Sequence, residues 1–278
     1  SFICFLSACR PQEDKNNFAN LIKGDWVGLE QGPEYTDDFR IFVCFADSTY
    51  QKSLMNDTFI YEITKDTLYL KYIDFERNNT ESKLPIVKLT KDSLVLLAGV
   101  KQEYKVMLSR VHAKNKITPT TIYFASSGCF GNCPIMSLEI DSSRNIRYYG
   151  DEYTSITGGF SGRINETEYN SIVNKIRNLP IDSLRTFYQT PSTDQETLGV
   201  SIVHGNKVTR SSAYGHYEEP MELRILFAKL INLYKHANLK RDTSVNRKYF
   251  LSKQKVMPDL LPPAAFDVQK FTPPKIED

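Results

Sequence analysis

Residues 120–141 read TTIYFASSGCFGNCPIMSLEID. Two strand-prone runs, TTIYFA (120–125) and MSLEID (136–141), flank a loop that holds Cys129 and Cys133, two of the chain's five cysteines. Short runs of β-branched and aromatic residues bounded by Gly, Ser and Pro are strand signatures. The same signature recurs at IRYYG (146–150), LGVSIV (198–203) and KVTRSSA (207–213). Two helices break the series. The first follows Asn165, whose side chain suits an N-cap with Glu168 three residues on, and Tyr169, Ile172, Val173 and Ile176 fall at helical spacing. The second starts near Glu219 with Pro220 in its first turn and carries Leu223, Leu226, Phe227, Leu230, Ile231 and Tyr234 on its apolar side. Residues 118–240 are therefore expected to form an α+β domain, an antiparallel sheet with two helices on one face.

Upstream, residues 20–112 alternate with period two between Asp-containing turns, as in DFRIFVCFA (38–46), DTLYLKYID (66–74), DSLVLLAG (92–99) and EYKVMLSRV (103–111). Evenly spaced short strands argue for an antiparallel β-meander that curls into a sandwich or barrel. Gly24-Asp25-Trp26, with the only Trp of the chain, opens the first strand, and Arg110 ends the last. This pattern resembles the lipocalin-like domains of bacterial lipoproteins, where G-x-W begins the barrel and a basic side chain lies across the Trp ring. The resemblance implies a barrel floor closed by a cation on an indole face, and a small apolar ligand as one candidate partner. A short-stranded barrel is also able to fill itself with its own side chains.

The first nine residues, SFICFLSAC, form an apolar run that stops abruptly before Arg10, Pro11 and a polar stretch. Small residues before a cysteine at the end of an apolar segment suit signal-peptidase cleavage. Leu6-Ser7-Ala8-Cys9 resembles the lipobox of bacterial lipoproteins, which implies lipidation of Cys9 and a stable membrane anchor. Residues 1–19 are read as a truncated lipoprotein signal and linker. Arg10, in place of an aspartate, favours the outer membrane of the cell envelope.

The spacing of Cys129 and Cys133 fits a disulfide, a metal site or a redox pair. Cys129-Phe130-Gly131-Asn132-Cys133-Pro134 resembles the Cys-Phe-Gly-x-Cys-Pro hallmark of an uncharacterised bacterial family, a domain of unknown function. Ser161-Gly162, Thr193-Asp194 and Tyr214-Gly215 agree with it, while Met136 stands where an aromatic is usual. The resemblance implies no activity. In an oxidising compartment a glycine between near cysteines supplies the bend a bridge requires, so a Cys129–Cys133 structural disulfide is the expectation. A thioredoxin-like pair calls for C-x-x-C at a helix N-terminus, and here the spacing is longer and a strand follows. Zinc needs two more ligands, and His204 and His216 are the candidates in this domain. Cys44, in an alternating strand, reads as a small core residue. The candidate binding surface comprises Phe130, Gly131, Asn132, Asp194, Tyr214 and His216.

Charges nearly cancel, 35 basic against 33 acidic residues, which argues against nucleic acid as a partner. No G-x-S-x-G, H-E-x-x-H or P-loop is present, so no catalytic residue, metal ligand or cofactor is assigned. Gly158-Gly159 with Ser161 and Gly162 reads as a bulged hairpin. Five prolines between residues 258 and 274 mark 241–278 as an extended tail. The expectation is an envelope lipoprotein acting as a binding or interaction module, with the membrane and an envelope protein or apolar ligand as partners. The competing class is a thiol- or zinc-dependent envelope enzyme using Cys129 and Cys133.

Overall fold

The computed structural model describes residues 16–30, 39–52, 54, 59–73, 79–99 and 101–260. Cys9 lies outside them, as do four of the five tail prolines. The chain divides into two compact units, 1–111 and 112–278. None of the described helices is long and apolar enough to cross a membrane.

The first unit opens with α1 (Asn16–Leu21), which begins in the 1–19 stretch read as signal and linker and runs past it. Eight strands follow: β1 (Gly24–Glu30), β2 (Phe39–Phe45), β3 (Thr49–Gln51), β4 (Phe59–Thr64), β5 (Thr67–Ile73), β6 (Asn79–Leu89), β7 (Ser93–Ala98) and β8 (Tyr104–Arg110). Each pairs antiparallel with the next, and β8 returns to β1 with Trp26 opposite Arg110, closing a barrel. The expected alternation holds: Val43, Phe45, Leu68, Leu70, Leu94, Leu96, Val106 and Leu108 are buried in one contiguous interior cluster around Trp26. Cys44 sits between two of these inward residues, so its side chain turns to the opposite face, where it is half-buried. It is not the core residue expected.

Why α1 belongs to this unit follows from the hydrogen bonds at the barrel's end. Ile22, fully buried, gives its carbonyl to Trp26 Nε1 at 2.7 Å. Arg110 lays its guanidinium over the Trp26 ring and donates to the carbonyls of Leu21, Lys23 and Lys91. Gly24 is required between them: its φ is +126°, and a Cβ would lie 2.5 Å from Arg110 Nη1.

The second unit contains β9 (Thr121–Ser126), β10 (Met136–Asp141), β11 (Asn145–Gly150), β12 (Gly158–Arg163), α2 (Glu166–Asn178), β13 (Phe187–Gln189), β14 (Thr197–His204), β15 (Lys207–Tyr214), α3 (Met221–Asn232), β16 (Asn238–Arg241) and α4 (Arg247–Leu251). The sheet order is β13-β15-β14-β9-β10-β11-β12-β16. All pairings are antiparallel, as expected, except that of the three-residue edge strand β13 with β15, which is parallel. That strand enters from the α2 side of the chain, and its three residues reach the edge in the same direction as β15.

One face of the sheet carries Ile122, Phe124, Leu138, Ile140, Val200 and Ile202 in register, all buried. Phe124 meets Phe227 of α3 at a centroid separation of 6.2 Å, and Tyr148 stacks on Tyr234 at 4.7 Å. Asn165 caps α2 through its Oδ1, which accepts from Glu168 N–H at 2.8 Å. The Glu168 carboxylate joins Lys229 of α3 at 2.8 Å, tying the two helices together. The other face holds Tyr123, Glu139 and Arg147, and there Tyr249 of α4 donates to Glu139 Oε2 at 2.9 Å. Residues 242–260, read as the start of an extended tail, thus fold back on the sheet through α4.

Gly158 and Gly159 are not a bulge but the start of β12, paired in register with β11. A Cβ on Gly159 would sit 1.5 Å from the Val245 carbonyl oxygen, so the glycine admits the C-terminal segment against the strand.

Candidate functional site

The central strand β9 pairs with β14 on one side and β10 on the other, with Ser126 facing Leu198 and Met136. Antiparallel pairing of β14 with β15 places Thr197 opposite Tyr214. Three connections therefore emerge side by side at one end of the sheet: the 127–135 loop, the 190–196 loop and the 215–219 segment.

The cysteine loop is fixed at its base. Ser126 Oγ donates to the Pro134 carbonyl at 2.5 Å and accepts from Met136 N–H at 3.2 Å. Ser127 N–H donates to the Thr197 carbonyl at 2.9 Å, and Thr197 N–H returns to Ser127 Oγ at 2.8 Å. Phe130 N–H reaches the Asp194 carbonyl at 3.1 Å, and Ile135 N–H reaches that of Glu152 at 2.9 Å. Within this frame Cys129 and Cys133 are bridged, with an S–S separation of 1.98 Å and Cα atoms 5.6 Å apart. The disulfide expected from the sequence is present. At its apex Phe130 is 90% exposed, and Gly131 and Asn132 are exposed beside it.

Behind the bridge lies a row of buried ionisable groups. Cys133 Sγ is 3.3 Å from Glu196 Oε2. The other carboxylate oxygen accepts from His216 Nε2 at 2.9 Å. His216 Nδ1 faces Glu219 Oε1 at 3.8 Å, and that same oxygen accepts from Arg224 Nε at 2.6 Å. The side chains of His216, Glu196 and Glu219 are 12%, 10% and 0% exposed. Burial alone pushes the Glu196 carboxyl up, but the His216 hydrogen bond and charge, with Glu196's own backbone N–H, outweigh it and hold the group below the usual carboxylate range.

The backbone explains how these groups meet. Asp194 adopts φ +64° and Gly215 φ +62°, turning the two loops toward each other. Gly215 N–H then donates to the Glu196 carbonyl at 3.1 Å, and Tyr214 Oη accepts from Gln195 N–H at 3.3 Å. Asp194 is an exposed turn residue whose carboxylate accepts from the Thr193 hydroxyl at 3.2 Å. All six residues read as a binding surface thus lie on these three neighbouring connections or, for Tyr214, at the strand end that feeds one.

His204 does not join them. It ends β14, seven residues beyond Thr197, about 23 Å along the strand, and bonds Thr209 Oγ1 at 3.1 Å. Of the paired histidines proposed for zinc only His216 is at the site. The ligand atoms of Cys129, Cys133 and Glu196 lie within 4.8 Å of one another. While the sulfurs are bridged they offer no thiolate to a metal.

The sequence reading assigns no functional role to Glu196, Glu219 or Arg224. Glu196 directly precedes a strand and Glu219 a helix-starting proline, positions where a carboxylate is unremarkable without knowledge of its partner.

Residues 120–234 match a domain family described as a domain of unknown function (DUF6438). The match begins at the edge of β9 and ends just after α3, so it contains the bridge and every member of the buried row. No curated protein and no solved structure matches the chain.

Proposed function

We propose that the chain is an envelope lipoprotein, tethered through lipid on Cys9, whose second domain is a binding module that docks an envelope protein through the stapled 129–133 loop. Phe130 carries this reading. A phenyl ring 90% exposed contributes nothing to the domain's own core, yet its backbone is held by the bridge on either side and by the bond to Asp194. Aromatic anchors presented on a rigid loop lose little conformational freedom on binding, which is what makes them dominate interfaces. Tyr217, 62% exposed and next to His216, adds a second aromatic on the adjoining segment. The Trp26–Arg110 closure supports reading the barrel as lipocalin-like, the abrupt change of composition after Cys9 supports the anchor, and Arg10 in place of an aspartate supports an outer-membrane address.

Two measurements in the native host test the proposal. A photo-reactive phenylalanine analogue at position 130 should give one discrete protein adduct, whereas the same analogue at Tyr153, also exposed at 54%, should not. Equal yields at both positions, or none at either, overturn docking through the loop. Intact mass of the membrane-extracted protein should show diacylglyceryl and acyl groups on Cys9, and an unmodified sulfur there overturns the anchor.

A further inference from the structure

We infer that Cys129 and Cys133 form a thiol–disulfide exchange centre in which Glu196, backed by His216, takes the proton of Cys133, the co-reactant being a disulfide or dithiol compound. The inference goes beyond the docking reading and needs neither the lipid nor Phe130.

The contact between Cys133 and Glu196 has a chemical meaning only when the bridge is open. A bridged sulfur carries no hydrogen, so the carboxylate oxygen 3.3 Å away has nothing to accept from it. In the dithiol form Cys133 bears a proton, and the same geometry becomes an S–H···O hydrogen bond to a carboxylate. A staple serving shape alone calls for no buried carboxylate behind it. Nor does the fold depend heavily on the bridge: a sequence separation of 4 closes so short a loop that its entropic contribution is about 2 kcal/mol.

The two sulfurs are also unequal. Cys133 is the one whose sulfur lies 3.3 Å from the carboxylate, so on opening of the bridge its S–H is the one a carboxylate accepts. Both cysteines are half-buried, but the carboxylate's hydrogen-bonding contact is with Cys133, and Cys129 directly precedes the exposed Phe130. Cys129 is therefore the attacking thiolate and Cys133 the resolving thiol.

The groups facing Glu196 complete the arrangement. His216 donates to its second oxygen, and Glu219 with Arg224 lies beyond His216. Asp194, two residues away, is exposed and accepts from Thr193. These partners keep Glu196 in its carboxylate form, aligned on Cys133, so it holds the thiol proton only in passing.

The Cys129 thiolate attacks one sulfur of a disulfide R–S–S–R, forming a Cys129–S–S–R bond and expelling RS⁻, which takes a proton from water. Cys133 then attacks Cys129 Sγ while its proton passes to Glu196; the Cys129–SR bond breaks, the Cys129–Cys133 bridge forms, and the second RS⁻ takes that proton from Glu196 and leaves as a thiol, restoring the carboxylate. Two protein thiols are oxidised by two electrons and one disulfide is reduced to two thiols. A dithiol substrate runs the same steps in reverse.

The reduced full-length chain, mixed with glutathione disulfide and followed by acid quench and intact mass, provides the test. C133S should accumulate glutathione on Cys129, and C129S should not accumulate it on Cys133. At pH 7, E196Q should resolve its mixed disulfide at least about tenfold more slowly than the unaltered chain, because Gln takes no proton. That deficit should close above about pH 9, where solvent removes the thiol proton unaided. The reduced chain should also form its bridge faster than the free octapeptide of residues 127–134, a comparison that requires no variant. Resolution by E196Q equal to the unaltered chain at every pH, a deficit that does not change with pH, or oxidation no faster than the peptide's would each overturn the assignment.

Discussion

The guanidinium carbon of Arg110 lies 4.2 Å from the centroid of the Trp26 ring, and its nitrogens donate to three backbone carbonyls at the end of the barrel. One side chain thereby joins α1, the β1 entry and the β7 entry. The cation–π contact contributes about 0.5–2 kcal/mol, and hydrogen bonds from a charged donor add to it. R110A is expected to lower the barrel's stability by about 2–3 kcal/mol. R110K, which keeps the charge but lacks the planar fork, should fall between the two. Because Trp26 is the chain's single Trp, its emission during urea unfolding of the full-length protein reports on this unit directly. A change below about 0.5 kcal/mol for R110A would mean the closure holds without it.

A second test concerns the barrel interior. Tyr50 is fully buried, and its hydroxyl has no hydrogen-bond partner among the described residues. Burial first, and the nearby Tyr72 second, push its pKa up to about 12, so the group stays neutral. Its ring packs against Phe45 and Phe59. Y50F keeps those contacts and removes only the orphaned oxygen, so stability should be unchanged or raised by up to about 1 kcal/mol. A loss of that size, read from the same Trp26 transition, would reveal a partner for the hydroxyl inside the barrel.

The Glu196–His216 pair makes the second unit sensitive to acid. The folded-state pKa of Glu196 is held below its ordinary value of 4.5. Between the two values the unfolded chain binds more protons than the folded one, so stability rises with pH there. The pair's contribution is therefore fully present above about pH 4.5 and is lost as pH falls through the folded pKa. E196Q should flatten this part of the stability–pH profile, measured by far-UV circular dichroism in urea between pH 6 and 3, roughly the range where carboxylates titrate. A profile identical to that of the unaltered chain would show that the pair contributes nothing to folding.

Much of the architecture was legible because period-two alternation is a local signal. The strands around Leu68, Leu94 and Leu108, the G-x-W opening and the Asn165 cap all announce themselves within a few residues. β6 did not, since its burial is shallow along its length and Pro85 interrupts it, yet Pro85 pairs with Thr67 in the barrel. The glycines at 158 and 159 read as a bulged hairpin because glycine is a poor strand former; the β11–β12 hairpin is there without the bulge, and Gly159 is required by a segment some 85 residues away in sequence. Residues 242–260 read as a tail because their apolar residues follow no period, yet Val245 and Phe250 are buried, and polar contacts join them: Tyr249 to Glu139, and Arg210 to the Met257 carbonyl at 3.2 Å. The buried row illustrates the deepest limit. Cys133 and Glu196 are 63 residues apart and Glu196 and His216 are 20 apart. Only the sheet order, which no local pattern encodes, brings their strand ends together.

The glycine at 159 offers the final test, because it links a sequence feature to the placement of the C-terminal segment. Its carbonyl accepts from Asp242 N–H at 2.9 Å, while its α-carbon faces the Val245 carbonyl oxygen, which a Cβ would approach to 1.5 Å. The obstacle is backbone, held in place by β16 pairing and by the buried Val245, so no rotamer change relieves it. G159A is expected to destabilise the second unit by about 3 kcal/mol and to loosen residues 242–260 first. Hydrogen exchange should then show faster exchange at the Asp242 and Val245 amides, while the Trp26 emission transition of the first unit stays where it was. If the amides keep their protection, the C-terminal segment does not depend on the close approach that this glycine allows.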